Sequence, residues 1–229
     1  MPGGLDKYVN AWKYLLKEKD RFADSEGYRY DVVDYARQTL SFLAQYYQRD
    51  IVIYLYRKDI ENFRKAKNRF LELFDDMDRL LNTNRHFMFG KWIADARSWA
   101  TSEKEADYYA KYAAILPTLW GQDNMECPRP NWYGYAWREW GGLVGNFYKY
   151  RWSYFWAEVE KELLKGNIYQ DCARDKWGRP EFRGNEILSK LADWEWKCGE
   201  NLPEMPSQPV GDAVKVSAEL FEKYKSHLE

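Results

Sequence analysis

The chain has 229 residues, a formal net charge of -1 and an aromatic content of 18%. Near-neutral charge argues against a nucleic-acid binder, which needs a dominant basic face to release counterions. Twelve Trp and 19 Tyr argue against a disordered chain. The longest uninterrupted apolar run, Ile51–Tyr56, is far short of the roughly 20 residues that cross a bilayer. The opening MPGGLDKYVN lacks the basic-then-apolar order of a signal peptide. Neither nucleic acid nor membrane is therefore expected as a partner.

Taken in chain order, apolar spacing predicts helices and almost no strands. A first amphipathic helix over 5–19 places Tyr8, Trp12, Leu15 and Leu16 on one face. From Arg29, Val32, Val33, Ala36, Leu40, Leu43, Tyr47 and Ile51 recur at three and four. Phe63, Ala66, Phe70, Leu73, Met77 and Leu80 continue that spacing in a second helix, which Asn82-Thr83-Asn84 stops. Another helix is read over 87–100. Ser102, three residues before Glu105, is a capping-box signature for the next, which ends before Pro117. A long helix near 135–165, through Leu143, Phe147, Phe155, Val159 and Leu163, is expected to be central. Two more follow near 183–197 and 212–225, the last with Asp212 as N-cap. The prediction is a single all-α domain over 1–229, a bundle of about seven to eight helices with short loops and one long central helix.

Motifs for familiar chemistry are missing. No glycine-rich phosphate loop and no nucleophile elbow is present. Cys127, Cys172 and Cys198 have no C-x-x-C spacing, and with only His86 and His227 beside them no zinc site is read. No cofactor is expected. Asp75-Asp76-Met77-Asp78 lacks the glycine and distal glutamate of a calcium loop and reads as a solvated helix end. The mixed-charge run 57–69 reads as a solvated helix face, and His86 as structural. Glycoside hydrolysis needs two facing carboxyl groups, and no pair is singled out, so no catalytic residue is assigned.

The strongest signal is TLWGQDNMECPRPNWYGYAWREWGG, residues 118–142, with four Trp and two Tyr in 25 positions. Its glycines and prolines exclude one continuous helix. Trp140 joins the apolar spacing of the following helix and reads as core. Trp120, Trp132 and Tyr135 flank the proline-containing loop and admit two readings, aromatic packing between helices or a ligand surface. Broad apolar rings with a polar tip suit half-polar ligands such as sugars. The helices on either side must converge where this stretch joins them. Trp120 and Tyr135 should therefore meet there, partly accessible and less buried than Trp140.

Five segments resemble, in order, the C-terminal helical domain of glycoside hydrolase family 89, the α-N-acetylglucosaminidases. They are YRYDVVDYARQTLS (28–41), FMFGKWIADARSWATSEKEADYYAKYA (87–113), TLWG (118–121), YAWREWGGLVGNFYKYRW (135–152) and PSQPVGDAV (206–214). The resemblance covers about 28–225. It implies a domain that packs beside a catalytic (β/α)₈ barrel and helps wall a pocket for terminal N-acetylglucosamine. The barrel carries the catalytic glutamates in that family, and 229 residues of helical pattern leave no room for one. Family Trp-Gly and Tyr-Ala elements fall at Trp120-Gly121 and Tyr135-Ala136, so Trp120, Gly121 and Tyr135 are the substrate-binding residues the resemblance implies. The family's location suggests an exported or lysosomal setting.

The chain departs from the pattern around those residues. Gln122 stands where the family has Pro, Gly134 where it has Asp, and Trp137 where it has Asn or a small residue. Loss of an acid from a sugar pocket removes a charge-assisted hydrogen bond of about 1.5–3 kcal/mol. The alternative function is a free-standing helical carbohydrate-binding or protein-interaction module.

Overall fold

A computed structural model describes residues 4–120, 134–169 and 186–228, with Leu188 described for its backbone only. The elements are α1 (Leu5–Lys17), α2 (Lys19–Phe22), α3 (Glu26–Tyr56), α4 (Ile60–Leu81), α5 (Phe89–Arg97), α6 (Glu103–Ile115), α7 (Lys149–Leu164), α8 (Glu186–Glu200) and α9 (Ala213–Leu228). A 3-10 turn spans Arg85–Phe87 and a π turn, Val144–Tyr148, leads into α7. Among the described residues the only β-type pairing is an isolated bridge, Met88 to Gly141. No helix among them is long and apolar enough to cross a membrane.

The fold is organised on α3. Its 31 residues carry a continuous apolar spacing, and Val32, Val33, Ala36, Leu40, Leu43 and Ile51 are sealed from solvent. Each large side chain so buried contributes about 1.5–3 kcal/mol. Ser25 caps its start by accepting from the Tyr28 amide, and Asp59 does the same for α4 through the Asn62 amide at 3.1 Å. Helices α1, α4 and α9 pack around α3, and α7 packs on α4, around one core that includes Trp12, Phe63, Leu73, Trp156 and Leu220. A second core joins α5 and α6 to Leu143 and Phe147, with Trp194 and Cys198 of α8 against it. Ser102 and Asp212 cap α6 and α9 as their positions predict, accepting from the amides of Glu105 and Lys215. Cys198 is partly buried against this core, and burial pushes its thiol up to about 11.

The expected long central helix near 135–165 is corrected. The longest helix is α3, and residues 135–140 are in no helix. Helical structure starts only after Gly142, whose φ of +86° is left-handed and cannot continue a right-handed helix backwards. Gly141 has no room for a side chain, because a Cβ there would lie 2.7 Å from the Asn82 backbone nitrogen. This contact holds the segment down on the end of α4, where Gly141 exchanges backbone bonds with Phe87 and Phe89 at 2.7 and 2.9 Å. Trp140 is accordingly not a helix-face residue. It is half-buried and packs against both cores, with its ring 5.7 Å from that of Trp92.

The solvated-end reading of residues 75–78 is also corrected. The three carboxylates face three different elements. Asp75 takes Lys149 of α7 at 2.6 Å. Asp76 accepts from the Tyr224 hydroxyl and from Lys223 of α9, both at 2.6 Å. Asp78 turns inward and accepts from the Gly142 and Gly145 amides, each at 2.7 Å, and from the Asn82 side chain at 2.9 Å. Burial raises its carboxyl above the ordinary value while these bonds pull the other way. The mixed-charge run is likewise more than a solvated face, since Lys67 is largely buried in its pairing with Glu160 of α7.

Asp78→Ala leaves two amides at the start of the π turn without an acceptor and should cost about 2–3 kcal/mol. Asp78→Asn, which keeps one acceptor oxygen, should recover about half of that loss. Urea unfolding followed by far-UV circular dichroism checks both.

Candidate aromatic site

The stretch singled out by composition leaves α6 at Ile115 and returns at Gly134. Its base is closed by a backbone bond from the Gly134 amide to the Thr118 carbonyl at 2.9 Å. Thr118 is itself buried and donates its hydroxyl to the Ala114 carbonyl at 2.8 Å. The Trp120 amide folds back onto the Ile115 carbonyl at 2.8 Å. That turn puts Trp120 at φ +45°, a left-handed conformation that costs a residue with a side chain about 1–2 kcal/mol.

This base brings Trp120 and Tyr135 together. Their ring centroids are 5.7 Å apart with planes at 66°, an edge-to-face pair. Tyr135 is 64% exposed and Trp120 is half-buried. Gly121 and Trp132 lie outside the described residues, as do Gln122, Cys127 and Cys172. Of the two departures that remain, Trp137 is exposed and Gly134 has a local cause. Gly134 sits at φ +70°, where glycine is at ease.

Two cavities are lined in part by residues of this stretch. Trp120 ends an open groove of about 860 Å³, with Trp92, Trp99, Tyr112, Leu116 and Trp196 among its lining and no charged side chain among the described residues. A second cavity, of about 290 Å³, is lined by Trp137, Trp152 and Tyr148 together with Ser41, Glu139 and Arg151, and by neither ring of the pair. Its charged groups are paired. Glu139 takes Arg37 and accepts from Ser41 Oγ at 2.7 Å, and Arg151 binds the fully buried Glu195 of α8. Arg138 turns onto the Ala136 and Trp137 carbonyls, while Glu139 ties the segment to α3.

Reading by motif missed the groove and the supports. The groove had a legible signal in Trp92 and Trp99 and in Tyr109, Tyr112 and Leu116, which recur at three, four and seven. Asp78 and Tyr148 had none, because their partners are distant in sequence. Among the described residues no group of three His, Cys, Asp or Glu is placed to hold a metal ion.

Comparison with known proteins decides the family. Residues 5–223 match the family model described as the alpha-N-acetylglucosaminidase (NAGLU) C-terminal domain. The chain belongs to this family. It is similar to human alpha-N-acetylglucosaminidase, with 31% identity over 215 residues, 93% of this chain and 26% of that protein. Its fold is that of part of a family 89 glycoside hydrolase from Clostridium perfringens in complex with 2-acetamido-1,2-dideoxynojirmycin. The TM-score is 0.77 at 24% identity, over 96% of this chain and 24% of that one. A structure of the Clostridium perfringens protein in complex with its substrate, GlcNAc-alpha-1,4-galactose, gives 0.78 at 23% identity, over 99% and 25%. The chain thus spans about a quarter of the length of these relatives and corresponds to the C-terminal helical domain of such an enzyme.

The strained backbone at Trp120 gives a direct test of this geometry. Trp120→Gly and Trp120→Ala remove the same ring, but only glycine relaxes a positive φ. The glycine variant should be the more stable of the two by about 1 kcal/mol, measured by urea unfolding. Equal stability would mean that residue 120 is not held left-handed.

Proposed function

We propose that this domain forms one wall of the sugar pocket of an α-N-acetylglucosaminidase. Trp120 and Tyr135 meet a terminal N-acetylglucosamine, and a catalytic barrel of the parent polypeptide supplies the opposite wall and the two acids. The observation that carries this reading is the exposed edge-to-face pair, held at the neck of the aromatic stretch at 5.7 Å. A pyranose ring presents C–H groups on its faces and hydroxyls on its rim. A half-buried indole beside a phenol offers an apolar surface for the first and a polar tip for the second. The membership of the family supports the sugar class, and the resemblance supports the two residues.

Among the described residues, the acids near the pair are committed elsewhere. Glu139 and Glu195 each hold an arginine, whereas hydrolysis needs one free acid to protonate the leaving group and a second to attack or to activate water. The domain therefore contributes binding and orientation, and the barrel contributes the chemistry. Gly134 in place of the family's acid leaves the sugar with one charge-assisted hydrogen bond fewer, which lowers affinity without altering the stacking surface.

The test is a titration of N-acetylglucosamine into the isotope-labelled chain, read at the indole N–H of each tryptophan. The Trp120 signal should shift, saturating in the millimolar range or above, as expected of one wall alone. Tyr135→Ala should weaken that response about five- to tenfold. Shifts confined to Trp99 and Trp196, or none at all, would contradict the proposal. The first of these outcomes favours the free-standing module, because the uncharged groove would then be the binding surface.

A further inference from the structure

The two residues of the pair lie on arms that leave the bundle separately, one after α6 and the other before the π turn. A single hydroxyl joins these arms from below. Tyr148 donates to the Pro117 carbonyl at 3.2 Å and accepts from the Arg138 amide at 3.1 Å. Pro117 stands three residues before Trp120, and Arg138 three residues after Tyr135. The contact therefore spans the neck three residues from each ring in the chain.

Tyr148 cannot drift from this position. It lies on the π turn, where Asp78 holds the Gly145 amide together with the Gly142 amide just before the turn. Its ring face is covered by the Arg151 guanidinium at 5.0 Å. Arg151 is fixed in turn by its two-pronged bond to Glu195, whose side chain is sealed from solvent. A buried, paired charge of this kind holds one geometry, since any shift would strand the carboxylate. The chain of support runs from α8 through α7 to the neck and then to both rings.

Resting on the reading of Trp120 and Tyr135 as a sugar wall, we propose that Tyr148 is a positioning residue for it. Its hydroxyl fixes the spacing of the two arms, so that the rings stand ready before any sugar arrives. Tyr148 touches no sugar in this arrangement. Its effect is on how much ordering remains to be done on binding, and pre-organisation of this kind raises affinity without adding a contact.

Tyr148→Phe in the 229-residue chain removes the hydroxyl and keeps the ring that Arg151 covers. Exchange of the Gly134 amide should quicken about tenfold, the change set by loss of one hydrogen bond. Nuclear Overhauser contacts between the Trp120 and Tyr135 rings should weaken, while the α3 amides keep their rates. Tyr47→Phe is the control, because the Tyr47 hydroxyl is buried with no hydrogen-bond partner among the described residues. It should leave the neck unchanged. A folded Tyr148→Phe with unaltered Gly134 exchange and ring contacts overturns the proposal. Should that variant fail to fold, the unsubstituted chain decides: a contact from the Arg138 amide to the Tyr148 ring supports the proposal, and its absence overturns it. N-acetylglucosamine titration then separates the two claims. Weaker binding alongside loosened rings supports both. Unchanged binding alongside loosened rings keeps the positioning role of Tyr148 and removes the sugar-wall reading.

Discussion

The carboxylate of Asp78 is the contact on which the aromatic site depends. A segment that is neither helix nor strand must still satisfy its backbone polar groups when it lies on an apolar bundle. Residues 134–143 meet that demand piecewise, Gly134 at Thr118, Arg138 at the Tyr148 hydroxyl, Gly141 at Phe87 and Phe89, and Gly142 at Asp78 of α4. Asp78 takes the two amides that open the π turn, and Gly141 sits on Asn82 close enough to exclude any side chain. Once that end is pinned, Tyr148 points at the neck and the two arms of the aromatic stretch are drawn together. The helices supply rigidity, but the irregular segment supplies the surface, a division common where binding residues are mounted on a scaffold.

The sugar-wall role we propose gives this arrangement a purpose. A wall that completes a pocket made mostly by another domain has to be stiff before the other domain arrives, since ordering it on binding would subtract from affinity. The left-handed backbone at Trp120 fits that demand. Strain at one residue persists only where its surroundings over-determine it. Here the bond from the Trp120 amide to Ile115, the Thr118–Gly134 bond beside it and the Tyr148 hydroxyl below do so. The 860 Å³ groove beside Trp120 is a continuous aromatic face of α5, α6 and α8 left open to solvent.

Most helices were legible because their information is local. The apolar spacing of α3 and α4 runs through about fifty residues with three between the helices, and the caps at Ser102 and Asp212 lie within one turn of what they satisfy. The helix that was misread, near 135–165, has an equally good apolar spacing from Leu143 onward. Extension backwards to Tyr135 fails for a reason 64 residues away in the chain, the Asp78 carboxylate that claims the Gly142 amide. The same distance hid the inward turn of Asp78 itself, which in sequence is one acid among three.

Of the site, composition alone marked the aromatic stretch, and the family motifs narrowed it to Trp120, Gly121 and Tyr135. Composition could not show that Tyr148, one of 19 tyrosines, ties the arms, since its partners lie 31 and 10 residues away. The measurement that tests the central claim most directly is native-state hydrogen exchange at the Gly142 and Gly145 amides. If Asp78 anchors the segment as part of the core, both amides exchange only through global unfolding, at the rate of the slowest α3 amides. Exchange through local opening, fast while α3 stays protected, would contradict the account and leave the aromatic pair on a loop rather than on a preformed wall.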